Sequence, residues 1–108
     1  MGNLKKNIIM NEFIPSEFFL SQNYPNPFKE KTIIKYCLAY KTQVNLKVFN
    51  AEGKEIEQLI NEEKNPGTYE VEFSVGHSRE SGNLPDGFYF YRLEAGNYSN
   101  EKKMEKIK

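Results

Sequence analysis

The stretch that decides the fold is DGFYFYRLEAG, residues 86–96. Asp86-Gly87 is a turn signal, because glycine adopts a positive φ at no steric cost. The residues behind the turn are aromatic or otherwise strongly β-prone. Two sets of side chains alternate along them, Tyr89, Tyr91 and Leu93 on one face and Phe88, Phe90 and Arg92 on the other. Because both faces are partly apolar, residues 88–95 are predicted to form a central strand.

Other segments show the period-two alternation of half-buried strands. Their predicted inward sets are Ile34, Tyr36 and Leu38 in residues 32–38, Val44, Leu46 and Val48 in residues 43–50, and Tyr69, Val71, Phe73 and Val75 in residues 68–75. A short first strand places Phe18 and Leu20 on one face, and a last strand follows Gly96-Asn97. Residues 55–60 are less regular, since Ile56, Leu59 and Ile60 would also suit one helical turn; we interpret them as a strand because their neighbours are strands.

Turn signals separate these strands. Ala51 to Lys54 forms one turn, with Gly53 in a left-handed position, and the charged segment of residues 61–67 ends in another turn, Asn65-Pro66-Gly67. About seven short strands without a convincing amphipathic helix predict an all-β fold, an antiparallel β-sandwich. A length of 108 residues allows one core. We expect residues 1–17 to be a linker that is disordered or adds one short strand, and residues 18–108 to be the domain.

A proline-rich block, SQNYPNPF at residues 21–28, precedes the predicted sandwich. Pro25 and Pro27 fix φ near −65° and push Tyr24 and Asn26 towards extended geometry. The block should therefore act as a stiff lead-in that places Phe28 at a defined position.

Composition and charge exclude several functions. Lys plus Arg and Asp plus Glu number 15 each, so no net field favours a nucleic-acid partner. No apolar run approaches the ~20 residues that span a bilayer, and the run after Lys5-Lys6 is too short for a signal peptide. The single Cys37 cannot form an internal disulfide and is predicted to be a small buried hydrophobe.

The residues do not predict an enzyme. His77 is the only histidine, and a catalytic set would need Ser74, Ser78 or Cys37 to meet it; we interpret it as a solvated loop residue in a mobile segment, residues 76–83. One Cys and one His cannot supply a zinc site, and the isolated glycines form no phosphate loop, so no cofactor is expected. The remaining acidic residues could be considered as a calcium site or as the carboxylate pair of a glycosidase, but we interpret them as a solvated face: Glu52, Glu55, Glu57, Glu62 and Glu63.

Several spaced blocks together resemble the type A C-terminal sorting domain of type IX secretion substrates. They are Tyr24 to Phe28, Ile34-Lys35-Tyr36, Val48-Phe49-Asn50 with Gly53, Gly67-Thr68-Tyr69, Gly87 to Gly96, and Lys102-Lys103-Met104. The resemblance implies an immunoglobulin-like sandwich at the end of a secreted protein. It also implies recognition by the outer-membrane translocation machinery and removal by a sortase-like protease. Relative to the family, residues 76–83 are an insertion.

The same resemblance implies that a cargo domain and an export signal stand upstream, so the chain is expected to be a fragment, a trimmed form or the product of a misplaced start. The whole protein would then reach the cell surface or the medium through the periplasm. We expect the domain itself to be a monomer, with no transmembrane segment.

The family pattern falls on two sets of positions. The structural set comprises Pro25, Asn26, Pro27, Phe28, Gly53, Gly67, Gly87, Tyr89, Tyr91 and Leu93; the sorting set comprises Gly96, Lys102, Lys103, Met104 and Ile107. In family members, apolar residues follow the Lys-Lys-Met block. In this chain, Glu105 and Lys106 interrupt that apolar run. From the residues alone, the free edge or the end of a last strand, residues 98–108, could accept a partner strand, or its lysines could protect an edge from aggregation.

A different function stays open beside sorting. The chain also resembles the immunoglobulin-like C-terminal module of flagellar hook-capping proteins, which shares the framework from Asn26-Pro27-Phe28 to the glycines. That resemblance would make it a structural accessory domain of an extracellular or flagellar hook-type protein.

Overall fold

The computed structural model describes residues 15–75 and 84–108, and every regular element in this part of the chain is a strand. The strands are β1 (Phe19–Leu20), β2 (Lys31–Leu38), β3 (Thr42–Asn50), β4 (Glu55–Lys64), β5 (Gly67–Ser74), β6 (Gly87–Ala95) and β7 (Tyr98–Lys106). The predicted all-β fold of about seven strands is confirmed.

The strands form two antiparallel sheets. One has three strands in the order β1-β2-β5, and the other has four in the order β4-β3-β6-β7. This arrangement is the immunoglobulin framework with the fourth strand moved beside the third. Strand β6 lies between β3 and β7, so it is the central strand that its two apolar faces predict. Strand β7, the last in the chain, is an edge strand.

The core lies between the sheets and is built from the inward positions of each strand. The predicted inward residues of β2, β3 and β6 are all buried, as are Phe73 and Val75, whereas Tyr69 and Val71 are half-buried. Leu20 is buried and contributes the face of β1. Each fully buried apolar side chain stabilises the fold by roughly 1.5–3 kcal/mol, so the alternation is the main sequence signal that selects these two sheets.

Strand β4 departs from the simple alternation in a way that explains its ambiguous pattern. Its register with β3 shifts between Leu46 and Lys47 and again between Val48 and Phe49, which leaves Leu59 and Ile56 as extra residues. Each bulge inserts one residue and resets the inward phase, so the apolar spacing imitates a helical turn. The strand also continues to Lys64, beyond its predicted end at Ile60, and the turn predicted at Asn65-Pro66-Gly67 connects it to β5.

The turn between β3 and β4 has the predicted geometry. Gly53 has a φ of 90°, which only glycine adopts freely. The Asn50 side chain stabilises the turn, because its Oδ1 accepts hydrogen bonds from the backbone N–H of Glu52 (3.0 Å) and of Lys54 (2.9 Å). The resulting hairpin fixes the start of β4.

The prediction that Cys37 is a buried hydrophobe is wrong. Cys37 lies on the outer face of the three-stranded sheet, is only partly buried, and has its Sγ 3.7 Å from Thr68 Oγ1. The reason is the strand period itself: Tyr36 and Leu38 face the core, so the residue between them must face outward. The general preference of free cysteine for burial does not override that register.

Candidate recognition site around the terminal strand

Strand β7 is attached to the sheet by a two-residue turn, Gly96-Asn97. The ladder with β6 runs from the pair Ala95 and Tyr98 to the pair Gly87 and Lys106. Gly96 has a φ of 61°, and a Cβ there would lie 3.2 Å from both the Tyr40 hydroxyl and Thr42 Oγ1. Any other residue at this position would be strained, so Gly96 determines how the terminal strand begins.

The side chains of β7 alternate between the core and the outer face of the sheet, which divides the predicted sorting residues. Met104 faces the core and is 1% exposed. Lys102 lies on the same side and is half-buried, whereas Lys103 is exposed on the opposite face. The Lys103 ammonium lies 4.5 Å from the centre of the Phe88 ring. The two lysines therefore do not form one cluster.

Lys106 occupies a core-facing position and does not interrupt the strand. Its side chain is 11% exposed, and its Nζ donates a hydrogen bond to Asp86 Oδ1 at 2.9 Å. A lysine can bury its aliphatic stem while its ammonium reaches a polar partner. The Lys106 stem thus continues the inward row after Met104. Ile107 follows outside the strand and is 36% exposed.

The lead-in segment, residues 21–28, lies along the outer edge of β7. Phe28 forms a parallel bridge with Lys106, in which the Phe28 N–H donates to Glu105 O (3.0 Å) and the Ile107 N–H donates to Phe28 O (2.8 Å). The Asn26 Oδ1 accepts from the Glu105 N–H at 3.0 Å, and the Gln22 Nε2 donates to Lys103 O at 2.7 Å. The C-terminal half of the edge, which was expected to be free, is therefore covered.

A buried polar network holds the lead-in segment in place. Asn23 is 2% exposed, and its Nδ2 donates to Pro25 O (3.1 Å) and to Thr32 Oγ1 (3.0 Å). Thr32 Oγ1 in turn donates to Pro25 O at 2.8 Å. The peptide bonds that precede Pro25 and Pro27 are both cis. Phe28 is 1% exposed and packs edge-on against Phe73, with 6.1 Å between ring centres, so the segment does deliver Phe28 to a defined core position.

Tyr91 links this segment to the central strand. Its hydroxyl donates to Ser21 O at 2.6 Å, and the side chain is fully buried. Burial raises the pKa of Tyr91 to about 12, although a hydrogen bond from the Asn23 backbone opposes the rise. Burial also raises the pKa of Tyr36 to about 12, with smaller contributions from Tyr69 and Glu62. These hydroxyls stay neutral below pH 10 and serve the fold.

Sequence reasoning missed the polar residues that assemble this site. Gln22, Asn23 and Thr32 form no motif of their own, because their partners lie in other strands. The sequence did contain a signal for the inward position of Lys106, which pairs with Asp86. Lys106 stands two residues after Met104, so the two side chains must lie on the same face of the strand. Gly53 and Gly87, in the structural set, adopt positive φ angles of 90° and 139°.

The described residues offer a strand edge and surface charges for binding. Among residues 15–75 and 84–108, no three His, Cys, Asp or Glu side chains are grouped closely enough to hold a metal ion. In the same part of the chain, no helix has the length and apolar character needed to cross a bilayer. His77 and Ser78, which the sequence offered as catalytic candidates, lie outside the described residues. Glu62 and Glu63 are exposed and lie near Lys64 (3.1 Å) and Lys41 (4.0 Å), respectively.

Comparison with known protein families identifies a family model that matches most of the chain. A family model described as a secretion system C-terminal sorting domain matches residues 22–107, from the lead-in segment to the residue after β7. No curated protein matches the chain.

Two solved structures from Porphyromonas gingivalis share the fold. One is dimeric latent PorU, with 15% identity and a TM-score of 0.63 over 86% of this chain and 10% of that one. The other is PorZ, described as an essential bacterial surface component of the type IX secretion system, with 16% identity and a TM-score of 0.57 over 89% of this chain and 12% of that one. The chain thus spans about a tenth of the length of these proteins.

Proposed function

Because the chain belongs to the family of secretion system C-terminal sorting domains, we propose that it is the non-catalytic sorting module of a larger protein exported by type IX secretion. The observation that carries this proposal is the extent of the family match. It includes both the lead-in segment and β7, which together build the terminal edge of the four-stranded sheet. The likeness to parts of PorU and PorZ supports the fold of such a module.

The proposed partner is the outer-membrane translocation machinery, which would recognise the terminal strand on the folded domain. The structure supports a rigid presentation of that strand, since Gly96, Met104 and the Phe28 bridge fix its beginning, its face and its end. Lys102, Lys103 and Ile107 are the sorting positions whose side chains retain solvent exposure. The cargo would be an upstream domain of the same protein, delivered to the cell surface or the medium.

We further propose that a sortase-like protease separates the module from its cargo on the N-terminal side of β1. Ser16 and Glu17 are exposed and lie outside any strand. A protease needs an extended substrate, and a segment outside the ladders can adopt that form without breaking the sandwich.

An export assay tests this function. The 108-residue chain is fused behind a reporter that carries its own export signal and is expressed in a bacterium with type IX secretion. We expect the reporter on the cell surface or in the medium, separated from the domain. Retention of the intact fusion in the periplasm would contradict the proposal.

A matched pair of double variants separates recognition from folding. Lys102→Gln with Lys103→Gln removes both sorting charges, whereas Lys31→Gln with Lys35→Gln removes two exposed charges from β2. Deletion of residues 102–108 would not serve, because it removes buried Met104 and the Phe28 bridge and so disrupts folding. Reduced export of the first variant alone supports recognition at β7. Equal export of both folded variants would show that recognition does not depend on these two charges, whereas retention of the wild-type fusion in the periplasm would favour a structural accessory domain.

A further inference from the structure

The outer edge of β7 is only partly covered by the residues that the structure describes. Because the Gly96-Asn97 turn has two residues, Ala95 and Tyr98 exchange hydrogen bonds, and the even-numbered residues of β7 direct their backbone groups to β6. The odd-numbered residues then direct their backbone groups outward. The contacts of the lead-in segment agree with this assignment, since they reach Lys103 O, both polar backbone groups of Glu105, and the Ile107 N–H.

The remaining outward groups lie in residues 99–103. The N–H and C=O of Ser99, the C=O of Glu101 and the N–H of Lys103 have no hydrogen-bond partner among residues 15–75 and 84–108. The Glu101 N–H donates only to the neighbouring Asn100 Oδ1, at 2.9 Å. At roughly 3.3 Å per residue, this open run is about 13 Å long, which is enough for a short extended segment.

The side chains beside the open run do not cover it. Glu101 is directed towards Arg92 of β6, with 3.7 Å between Oε1 and Nη1. Lys103 lies over the Phe88 ring, also on β6. Both side chains therefore lean back across the sheet and leave the backbone edge open to a partner.

We propose that residues 99–103 accept an extended segment of the translocation machinery as an additional strand of the four-stranded sheet. This inference rests on the proposed function and specifies its mode of recognition. The lead-in segment already pairs with the same edge at Glu105 and Ile107, so the added strand continues an existing row of backbone contacts. Recognition through the backbone depends little on side-chain identity. This explains how a polar segment such as SNEKK, residues 99–103, can be the recognised edge.

Within residues 15–75 and 84–108, the outer edge of β5 is also open and provides a control. The odd-numbered residues of β2 direct their backbone hydrogen bonds towards β1 and the lead-in segment. The Ser21 N–H donates to Lys35 O, and Tyr24 and Ile33 exchange backbone hydrogen bonds. The even-numbered residues of β2 therefore pair with β5, and Thr68, Glu70, Glu72 and Ser74 direct their backbone groups outward. This edge lies in the other sheet, away from the terminal block of the family match.

Proline substitutions distinguish the two edges. Glu101→Pro removes an outward N–H and places a ring on the β7 edge without breaking a bond to β6, a position where edge strands tolerate proline. Glu70→Pro makes the same change on β5. Each substitution also removes one exposed ion pair at 3.7 Å, with Arg92 and with Lys35, respectively. Glu101→Ala removes the side chain and its ion pair but keeps the backbone donor.

The reporter fusion described above measures the effect, with folding checked by far-UV circular dichroism and urea unfolding. We expect Glu101→Pro to lower the exported fraction at least tenfold while the domain stays folded. Glu101→Ala and Glu70→Pro should export within twofold of wild type. If Glu101→Pro does not fold, Ser99→Pro tests the same edge at another outward N–H.

Three results would overturn strand addition at β7. These are normal export of folded Glu101→Pro, an equal loss with Glu101→Ala, and a loss with Glu70→Pro alone. Failure of the wild-type fusion to leave the periplasm is a different result, which contradicts the proposed sorting function itself.

Discussion

The substitution Tyr91→Phe tests how the central strand holds the lead-in segment. It removes only the hydroxyl that donates to Ser21 O at 2.6 Å, and it keeps the buried ring in place. At neutral pH the variant loses one hydrogen bond and leaves an acceptor without its partner, which costs about 1–2 kcal/mol. Tyr69→Phe is the matched control, because the Tyr69 hydroxyl bonds locally and in an exposed position to Asn65 O; its cost should stay below about 1 kcal/mol.

The difference between wild type and Tyr91→Phe should change with pH. Burial raises the pKa of Tyr91 from 10.0 to about 12 in the folded state. The neutral hydroxyl therefore contributes stability that is fully present below pH 10 and is lost as the pH rises through 12. At pH 11 this linkage removes about 1.4 kcal/mol from wild type, whereas the variant has no ionisable group at this position. The two free energies of unfolding should thus meet near pH 11.

Urea unfolding at pH 8, 10 and 11, followed by far-UV circular dichroism, measures both effects. Burial also raises the pKa of Tyr36, but that contribution is the same in both proteins and cancels in the difference. A deficit in Tyr91→Phe that stays constant from pH 8 to pH 11 would refute the burial of an un-ionised Tyr91 hydroxyl. No deficit at pH 8 would refute the link to Ser21.

Two further predictions concern β7, and urea unfolding at pH 7 measures both. Met104→Ala should lower the free energy of unfolding by about 2–5 kcal/mol, because Met104 is 1% exposed; Lys103→Ala should cost less than about 1 kcal/mol, and equal costs would contradict the inward register. Lys106→Met should lie within about 1 kcal/mol of wild type, since it keeps the buried stem and loses a partly exposed ion pair. Lys106→Ala should cost about 1 kcal/mol or more beyond Lys106→Met, and large, equal costs for the two variants would show that the ammonium outweighs the stem.

The sequence was sufficient to predict most strands because period-two alternation persists along them. In β2, β3 and β6 every predicted inward residue is buried. The alternation fails at β4, where two bulges add Ile56 and Leu59 to one strand of the pair and break the period. The prediction for Cys37 was wrong for another reason, since it placed a residue-type preference above the register that the neighbouring residues already determined.

The candidate site was predictable only in part, for a physical reason. The turn at Gly96 and the position of β7 follow from local sequence. The cover over its edge does not, because the Gln22 and Asn26 contacts join residues 81 and 79 positions apart. No local pattern encodes such pairs. They depend on how the lead-in segment crosses the sandwich, which in turn depends on the buried Asn23 and Thr32 pair.

The central claim is that this folded sandwich is an export signal whose terminal strand is recognised on the intact domain. The most direct measurement is the fraction of a reporter that leaves the periplasm when the 108-residue chain is fused behind it, compared with the same reporter alone. The account predicts that most of the fused reporter reaches the surface or the medium and that the reporter alone stays inside. Equal periplasmic retention of both, with the domain shown to be folded, would contradict it.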